Sequence, residues 1–548
     1  MAYPAAGSAV PVHSYTTSSE LVGMLNSTMT RFVSLAERVP GSQIVWRYLK
    51  ASHQDDPFRT VLEVLLVFFI VRTYAQSRTK GDVQGKNFVK LTEQEINELV
   101  LEWQPEPLVP ASLKQTTQLH PPIIMGATGP RPKVLFPTKD QDPHDPQNPM
   151  PLTGGKIVTN LASINFAGLA GNDRIKDKAV ECLKRYGVGS CGPPGFYGTF
   201  DVHMELERDI ANFLGVQSAI IYAHGFSTIS SVIPSFSKRG DIIVADRGVN
   251  FAIQKGIQIS RSTVRWYDHG DYDSLERVLE QIHKEDRKYK RNPTKGRRFI
   301  VTEGVFENDG SIVDLPRVME LKLKYKYRLI LDEGWSVGAI GKTGRGVTEV
   351  FDAPAAEVDI ITGSMANAFG SAGGFCAGSV HVVAHQRINS PGFVFSAALP
   401  PLLAVSATEA ISLLSTPLTS TDPAHPLTQL PDNIRTVRTI LNGVQSIEIP
   451  SAEQSPLIHI RIKRFSTGAT TSELSRSEQE QLLQDVVDRC AEDGVLISRT
   501  KRNWDQELFE QQPSLRICVT SALTKKEVEK AANVLKHSLT KVLGKGKK

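Results

Sequence analysis

Six short apolar runs recur between residues 218 and 364: SAIIYA (218–223), DIIVAD (241–246), TVRWYD (263–268), RFIVTEG (298–304), RLILDEG (328–334) and DIITGS (359–364). Helix-forming stretches separate them. Hydrophobic strands of this length spaced by helices indicate an α/β domain built on a largely parallel sheet. In such sheets functional groups gather at the carboxyl ends of the strands. Asp246, Glu303, Asp332 and the loop after Ser364 all fall at such ends. Two helices are expected before the first strand. One covers 173–186, with Ile175, Ala179, Val180 and Leu183 inward and Gly187 as its stop; the other covers 203–214 and ends at Gly215.

A chain of 548 residues is too long for one compact core. Residues 1–56 read as an amphipathic, membrane-surface segment. Leu21, Leu25, Met29, Phe32, Val33 and Leu35 share roughly one helical face there. Asp56-Pro57 then starts a helix over 57–77, expected to cross a membrane once. Its wholly apolar heart, 64–71, is short, but Arg59 and Arg72 can snorkel. The basic residues after it place the bulk of the chain on the cytosolic side. Residues 78–152 read as a proline-rich linker, with twelve of the 32 prolines between 105 and 151. A large domain over 153–400 and a smaller α+β domain over 401–548 complete the expected organisation.

The net charge of +5 is concentrated in two local runs, 284–298 and 541–548, read as a solvated loop and a frayed tail and not as a nucleic-acid surface. Five scattered cysteines without a CxxC pair exclude a disulfide framework and a zinc site, and no metal is expected.

Eight stretches in order resemble the α-oxoamine synthases, the pyridoxal-phosphate enzymes that condense an amino acid with an acyl-CoA. They are YGVGSCGPPGFYGTFDVHMELE (186–207), YAHGFST (222–228), RGDIIVAD (239–246), VTEGVFENDGSIVDLP (301–316), LDEGWSVGAIGKTGRG (331–346), GSMANAFGSAGGF (363–375), GFVFSAALPP (392–401) and PSLRICVTSALT (513–524). The resemblance implies a pyridoxal-phosphate-dependent transferase of fold type I. Such a cofactor needs a lysine amine, a carboxylate facing the ring nitrogen, a group stacked on the ring, and backbone N–H groups around the phosphate. Asp332 matches the carboxylate, and Gly225-Phe226-Ser227 is a candidate phosphate cradle. The other parts depart from the family. Asn367 stands at the lysine position, and no lysine lies between Lys342 and Lys463. Trp335 replaces the histidine of the family's D-E-x-H-S motif, and Asn250 replaces the histidine that stacks on the ring.

These losses resemble those of the family's lysine-free long-chain-base subunits. What that implies is a heterodimer whose homologous partner carries the lysine and covalently holds pyridoxal phosphate. The pair would condense L-serine with palmitoyl-CoA to 3-ketosphinganine, the first step of sphingolipid biosynthesis, at the endoplasmic reticulum membrane. A small activating membrane subunit and Orm-family regulators belong to the same expectation. Cys191, Gly192, Phe196 and Tyr197 of the glycine-rich loop, with Ser396, would face the partner's site, while Asp332, Trp335, Asn250 and Gly225 are vestigial. Two other readings compete. An active homodimer, such as an aminolevulinate synthase, is opposed by the missing lysine; a non-catalytic scaffold or regulatory paralogue is not.

Overall fold

The computed structural model describes residues 56–79, 91–104, 121–137, 153–292, 295–416, 425–463 and 474–544, with isolated positions near 43–54 and at 108. The amphipathic segment expected over 19–39 lies outside the described residues. The chain divides into two units, Met1–Gln115 and Thr116–Lys548.

In the first unit, helix α1 spans Pro57–Thr79 and α2 spans Glu93–Glu102. Thr92 caps α2 through a capping box in which the Thr92 hydroxyl accepts from the Glu95 N–H and the Glu95 carboxylate accepts from the Thr92 N–H. The expected helix over 57–77 is present, but a membrane span is not borne out. Among the described residues no helix is long and apolar enough to cross a membrane. The reason lies in α1 itself: Arg59, Glu63 and Arg72 confine the uncharged apolar stretch to a few turns. Within that stretch Val64 to Val71 are all exposed, on every side of the helix.

In the second unit the proline-rich stretch contributes ordered structure. Strands β1 (Ile123–Ile124), β2 (Lys133–Leu135) and β3 (Lys156–Ile157) form a small antiparallel sheet. Val134 is fully buried there against Val158 and Leu496. Strand β4 (Thr159–Asn160) follows, and then helices α3 (Asp173–Tyr186) and α4 (Asp201–Leu214). Helix α3 keeps only part of the face expected inward: Ile175 holds, and Ala179 is half-buried. Ile175 and Cys182 are buried, whereas Val180 and Leu183 are exposed.

The six apolar runs become strands β5 (Ser218–Tyr222), β6 (Ile242–Asp246), β7 (Thr263–Tyr267), β8 (Arg298–Glu303), β9 (Arg328–Asp332) and β10 (Ile360–Ser364). Helices alternate with them: α5 (Gly225–Phe236), α6 (Phe251–Ser260), α7 (Tyr272–Lys288) and α8 (Leu315–Tyr325). A seventh strand, β11 (Gly374–Gly378), completes the sheet in the order β5-β11-β10-β9-β8-β6-β7. The pairings from β10 through β9, β8 and β6 to β7 are parallel, and only β11 runs against its neighbours β5 and β10. This return strand is absent from the sequence-based reading because GFCAG has two glycines and little β-branching. It holds its place by close packing. A Cβ on Gly363 of β10 would stand 2.3 Å from the ring of its register partner Phe375.

After 400 the chain forms α9 (Pro401–Leu414), α10 (Leu430–Leu441), α11 (Arg476–Glu492) and α12 (Lys525–Leu543), around the antiparallel sheet β12-β13-β16-β15. Those strands are β12 (Ile447–Glu448), β13 (Leu457–Ile462), β15 (Ser498–Arg499) and β16 (Leu515–Cys518); β14 (Val495–Leu496) instead pairs in parallel with β4. One apolar cluster contains both Ile300 and Leu331 of the large sheet and Ile458, Ile517 and Leu535 of this region.

Candidate functional site

The carboxyl ends of β6, β8, β9 and β10 bring the predicted residues together. Asp332, the last residue of β9, is buried, and both of its oxygens are occupied. Oδ1 accepts from the Gly334 N–H and the Thr362 hydroxyl, each at 3.1 Å, and Oδ2 accepts from Asn250 Nδ2 at 3.1 Å. Asn250 is itself held on three sides. Its side-chain oxygen caps α6 by accepting from the Ile253 N–H at 3.0 Å. Its own N–H donates to Glu303 Oε1 at 2.7 Å, and its carbonyl accepts from the Gln254 N–H.

Burial raises the pKa of both Asp332 and Glu303, and the neighbouring Asp332 charge pushes Glu303 further up. Asp332 has three donors to offset its burial, whereas Glu303 has two, from Asn250 and Glu307. Of the two, Glu303 is therefore pushed up the further.

Trp335 is buried beside Phe166, with ring centroids 6.2 Å apart. Asn367 donates from Nδ2 to the Gly334 carbonyl at 2.7 Å, which ties its loop to the turn after β9. Gly225 opens α5, whose N-terminal N–H groups have no side-chain cap. A Cβ there would meet Gly373 O at an ordinary 3.5 Å, so this is not an approach that requires glycine.

These residues do not fit a covalently held pyridoxal phosphate. Asn367 offers an amide, which forms no Schiff base, and no other lysine lies within 343–462. The carboxylate that would face a ring nitrogen already accepts from Asn250. Among the described residues, none of the polar side-chain atoms of Asp332, Asn250 or Asn367 is buried without a hydrogen-bond partner. A site built to receive a polar ring would leave such atoms waiting.

The second predicted group lies on the surface. Loop 186–198 closes on itself through the Ser190 hydroxyl, which donates to Gly198 O at 3.0 Å. It joins the segment after 392 through the Ala398 N–H, which donates to Gly192 O at 2.9 Å. Phe196, Tyr197 and Phe395 project into solvent together with an exposed Cys191. Ser396 is half-buried beside them. Of the five loop glycines only Gly187 has a positive φ, and the other left-handed position is held by Cys191 at φ 55°. A cavity of about 570 Å³ lies behind the loop, lined by Pro194, His203, Met204, Phe393 and Leu399 among others.

One cluster was not foreseen from the sequence. His269 follows β7 and is clamped between two carboxylates, with Nδ1 2.7 Å from Asp246 Oδ1 and Nε2 3.0 Å from Asp309 Oδ2. Both ring nitrogens must donate, so the ring is an imidazolium. Burial works against that charge, but hydrogen bonds and charges from Asp246 and Asp309 hold its pKa up at about 10. Burial likewise opposes the Asp309 charge, and His269 and Ser311 hold that carboxyl down at about 2. An imidazole kept this basic is no general base at neutral pH. It pins three loops together. Gly248 makes room for it, since a Cβ there would lie 2.1 Å from Nδ1.

A mostly parallel seven-stranded sheet with an inserted antiparallel strand, carrying an aspartate at the end of β9, is the fold of pyridoxal-phosphate-dependent aminotransferases. Residues 156–535 match the family described as aminotransferase class I and II, and the chain belongs to it. Within that class it is similar to proteins named for long-chain-base synthesis. Long chain base biosynthesis protein 1b of Oryza sativa subsp. japonica is 41% identical over 455 residues, covering 83% of this chain and 86% of the relative. Serine palmitoyltransferase 1 of Dictyostelium discoideum is 40% identical over 470 residues, covering 85% and 91%. Serine palmitoyltransferase 1 of Saccharomyces cerevisiae is 34% identical over 562 residues, covering 97% and 96%. Among solved structures, the serine palmitoyltransferase of Sphingomonas wittichii superposes with a TM-score of 0.64 at 19% identity, over 79% of this chain and 96% of that one, a likeness of fold.

Proposed function

We propose that this chain is the subunit of serine palmitoyltransferase that does not bind the cofactor. In this reading it pairs with a homologous subunit that carries the lysine and the pyridoxal phosphate. The pair condenses L-serine with palmitoyl-CoA to 3-ketosphinganine, and this chain alone is inactive. The observation that carries the reading is Asn367. It occupies the lysine position of the family loop, is spent on the Gly334 carbonyl, and has no lysine near it in the sequence to take its place. Pyridoxal phosphate supplies an electron sink for the condensation in the partner. This chain supplies the loop bearing Cys191, Gly192, Phe196, Tyr197 and Ser396, whose exposed aromatic rings suit a protein contact.

The same proposal places the complex at the endoplasmic reticulum membrane with the α/β unit on the cytosolic side, where a small activating membrane subunit and Orm-family regulators join it. Helix α1, apolar and exposed on all sides over 64–71, is the lipid-contacting element. A sixteen-carbon acyl chain partitions into lipid at about 0.8 kcal/mol per CH2, so an enzyme held there meets its substrate at high local concentration.

Expression of this chain alone, of the lysine-bearing homologue alone, and of both together tests the reading. Serine- and palmitoyl-CoA-dependent turnover is expected only from the pair. Full turnover by the homologue alone would make this chain a scaffold, and turnover by this chain alone would end the proposal. An alkaline carbonate wash of membranes should retain the full chain and release one lacking residues 1–90.

A further inference from the structure

We infer that the ring position of the ancestral cofactor site is taken in this chain by Asn250, whose amide has assumed the donor role that a protonated ring nitrogen plays towards the aspartate at the end of β9. This arrangement is a property of the chain's own interior. It stands or falls separately from the pairing proposed above, which a failed test here would leave intact.

A buried carboxylate must be given hydrogen-bond donors or it is costly to keep ionised. In a pyridoxal-phosphate enzyme one donor is the ring N–H. Here Asp332 Oδ1 takes Gly334 N–H and Thr362 Oγ1, and the remaining oxygen, Oδ2, takes Asn250 Nδ2. A ring nitrogen approaching Oδ2 would have to share that oxygen with an amide that cannot swing away. Its Oδ1 caps α6, its N–H is bonded to Glu303, and the residue is 4% exposed. Trp335, 7% exposed, walls the same turn, and Asn367 fixes that turn from the other side through Gly334 O. The loss of the lysine prevents covalent capture of the cofactor. The Asn250–Asp332 bond goes further and meets the need that a ring N–H would serve, whether the ring is bound covalently or not.

Asn250 has two duties, and one substitution separates them. Asn250→Asp keeps the helix cap, since Asp caps as well as Asn, but removes the donor to Asp332 and sets two carboxylates against each other. The exchanged pair, Asn250→Asp with Asp332→Asn, restores the bond in the opposite direction. The amide then stands on β9 and donates to the carboxylate at the start of α6, while the amide oxygen still accepts from Gly334 and Thr362. We expect Asn250→Asp to lower the melting temperature of the full-length chain by several degrees. The exchanged pair should recover most of that loss, more than the two single changes predict by addition. If Asn250→Asp does not fold, the comparison rests on Asp332→Asn against the exchanged pair. A folded pair no worse than Asp332→Asn supports the inference, and an unfolded pair overturns it. A second measurement uses pyridoxine 5′-phosphate, which has the ring and phosphate but no aldehyde for surface lysines to trap. The melting temperature of the wild-type chain should not move as this compound is added. A saturable rise, or an Asn250→Asp variant as stable as wild type, would overturn the inference.

Discussion

Replacing His269 by alanine removes a cation from between two buried carboxylates, and the structure sets both the size and the pH dependence of the loss. A rise in pKa from 6.5 to about 10 corresponds to roughly 5 kcal/mol at about 1.4 kcal/mol per unit. The His269 side chain is 32% exposed, so solvent screening reduces that to ~3 kcal/mol. The geometry supports the lower figure. Without His269, Asp246 still accepts from the Gly248 and Gly270 N–H groups, and Asp309 still accepts from the Ser311 N–H and hydroxyl. Neither carboxylate is left bare, and the cost falls at the low end of the ~3–5 kcal/mol typical of a broken buried pair.

The sign follows from the direction of the shift. The folded-state pKa of His269 is raised, so its contribution is complete below about pH 6.5 and is lost as pH climbs through about 10. Asp309 is shifted down, so its contribution is complete above about pH 4 and is lost as pH falls through about 2. Urea unfolding of wild type and His269→Ala at pH 6, 8 and 9.5 is the assay. Wild type should lose stability from pH 6 to 9.5, the variant should be weaker by ~3 kcal/mol at pH 6, and the two should converge as pH rises. A variant within about 0.5 kcal/mol of wild type at pH 6, or a constant gap across the series, would refute the clamp as a charged unit.

Five further outcomes are expected. Borohydride treatment of the purified chain with pyridoxal phosphate should leave no reduced adduct on 363–375, and Asn367→Lys alone should not turn over as a homodimer, because Trp335 and Asn250 remain; mass mapping and a turnover assay check these. Cys191 bears a left-handed backbone at φ 55°, so Cys191→Gly should raise stability by about 0.5–1 kcal/mol in denaturant melts, less than the full ~1–2 kcal/mol cost of that conformation because glycine is also freer when unfolded. Cys191→Trp should instead lower turnover of the co-purified pair at an unchanged subunit ratio and alter selectivity for serine over alanine and glycine, and loss of the partner would make the loop a contact only. Gly363→Ala should cost about 1–3 kcal/mol, since its methyl would enter the Phe375 ring and β11 would have to shift; equal melting temperatures for variant and wild type would show that the strand gives way freely.

The sequence alone determined what depends on neighbours along the chain. Six strands were legible because each is a run of β-branched and apolar residues bounded by helix-forming stretches, and backbone preference and burial agree there. The absence of lysine from 343–462 was legible because a residue type is visible without coordinates. Tertiary structure alone decided what depends on residues distant in sequence. Strand β11 was hidden because its glycines oppose β structure locally and are favoured only in the packed sheet, where a Cβ on Gly374 would stand 2.4 Å from the Thr228 hydroxyl and one on Gly378 2.9 Å from the Asp359 carbonyl. The inward face of α3 was misread because Val180 and Leu183 fit the helical period as well as Cys182 does, and the period cannot say which side meets the core. The chain's own spacing gives no sign that Asn250 reaches Asp332, 82 residues away, or that His269 lies between Asp246 and Asp309. Those pairings exist because parallel strands deliver their carboxyl ends to one edge of the sheet, where buried polar groups must find partners from whatever the adjoining loops supply.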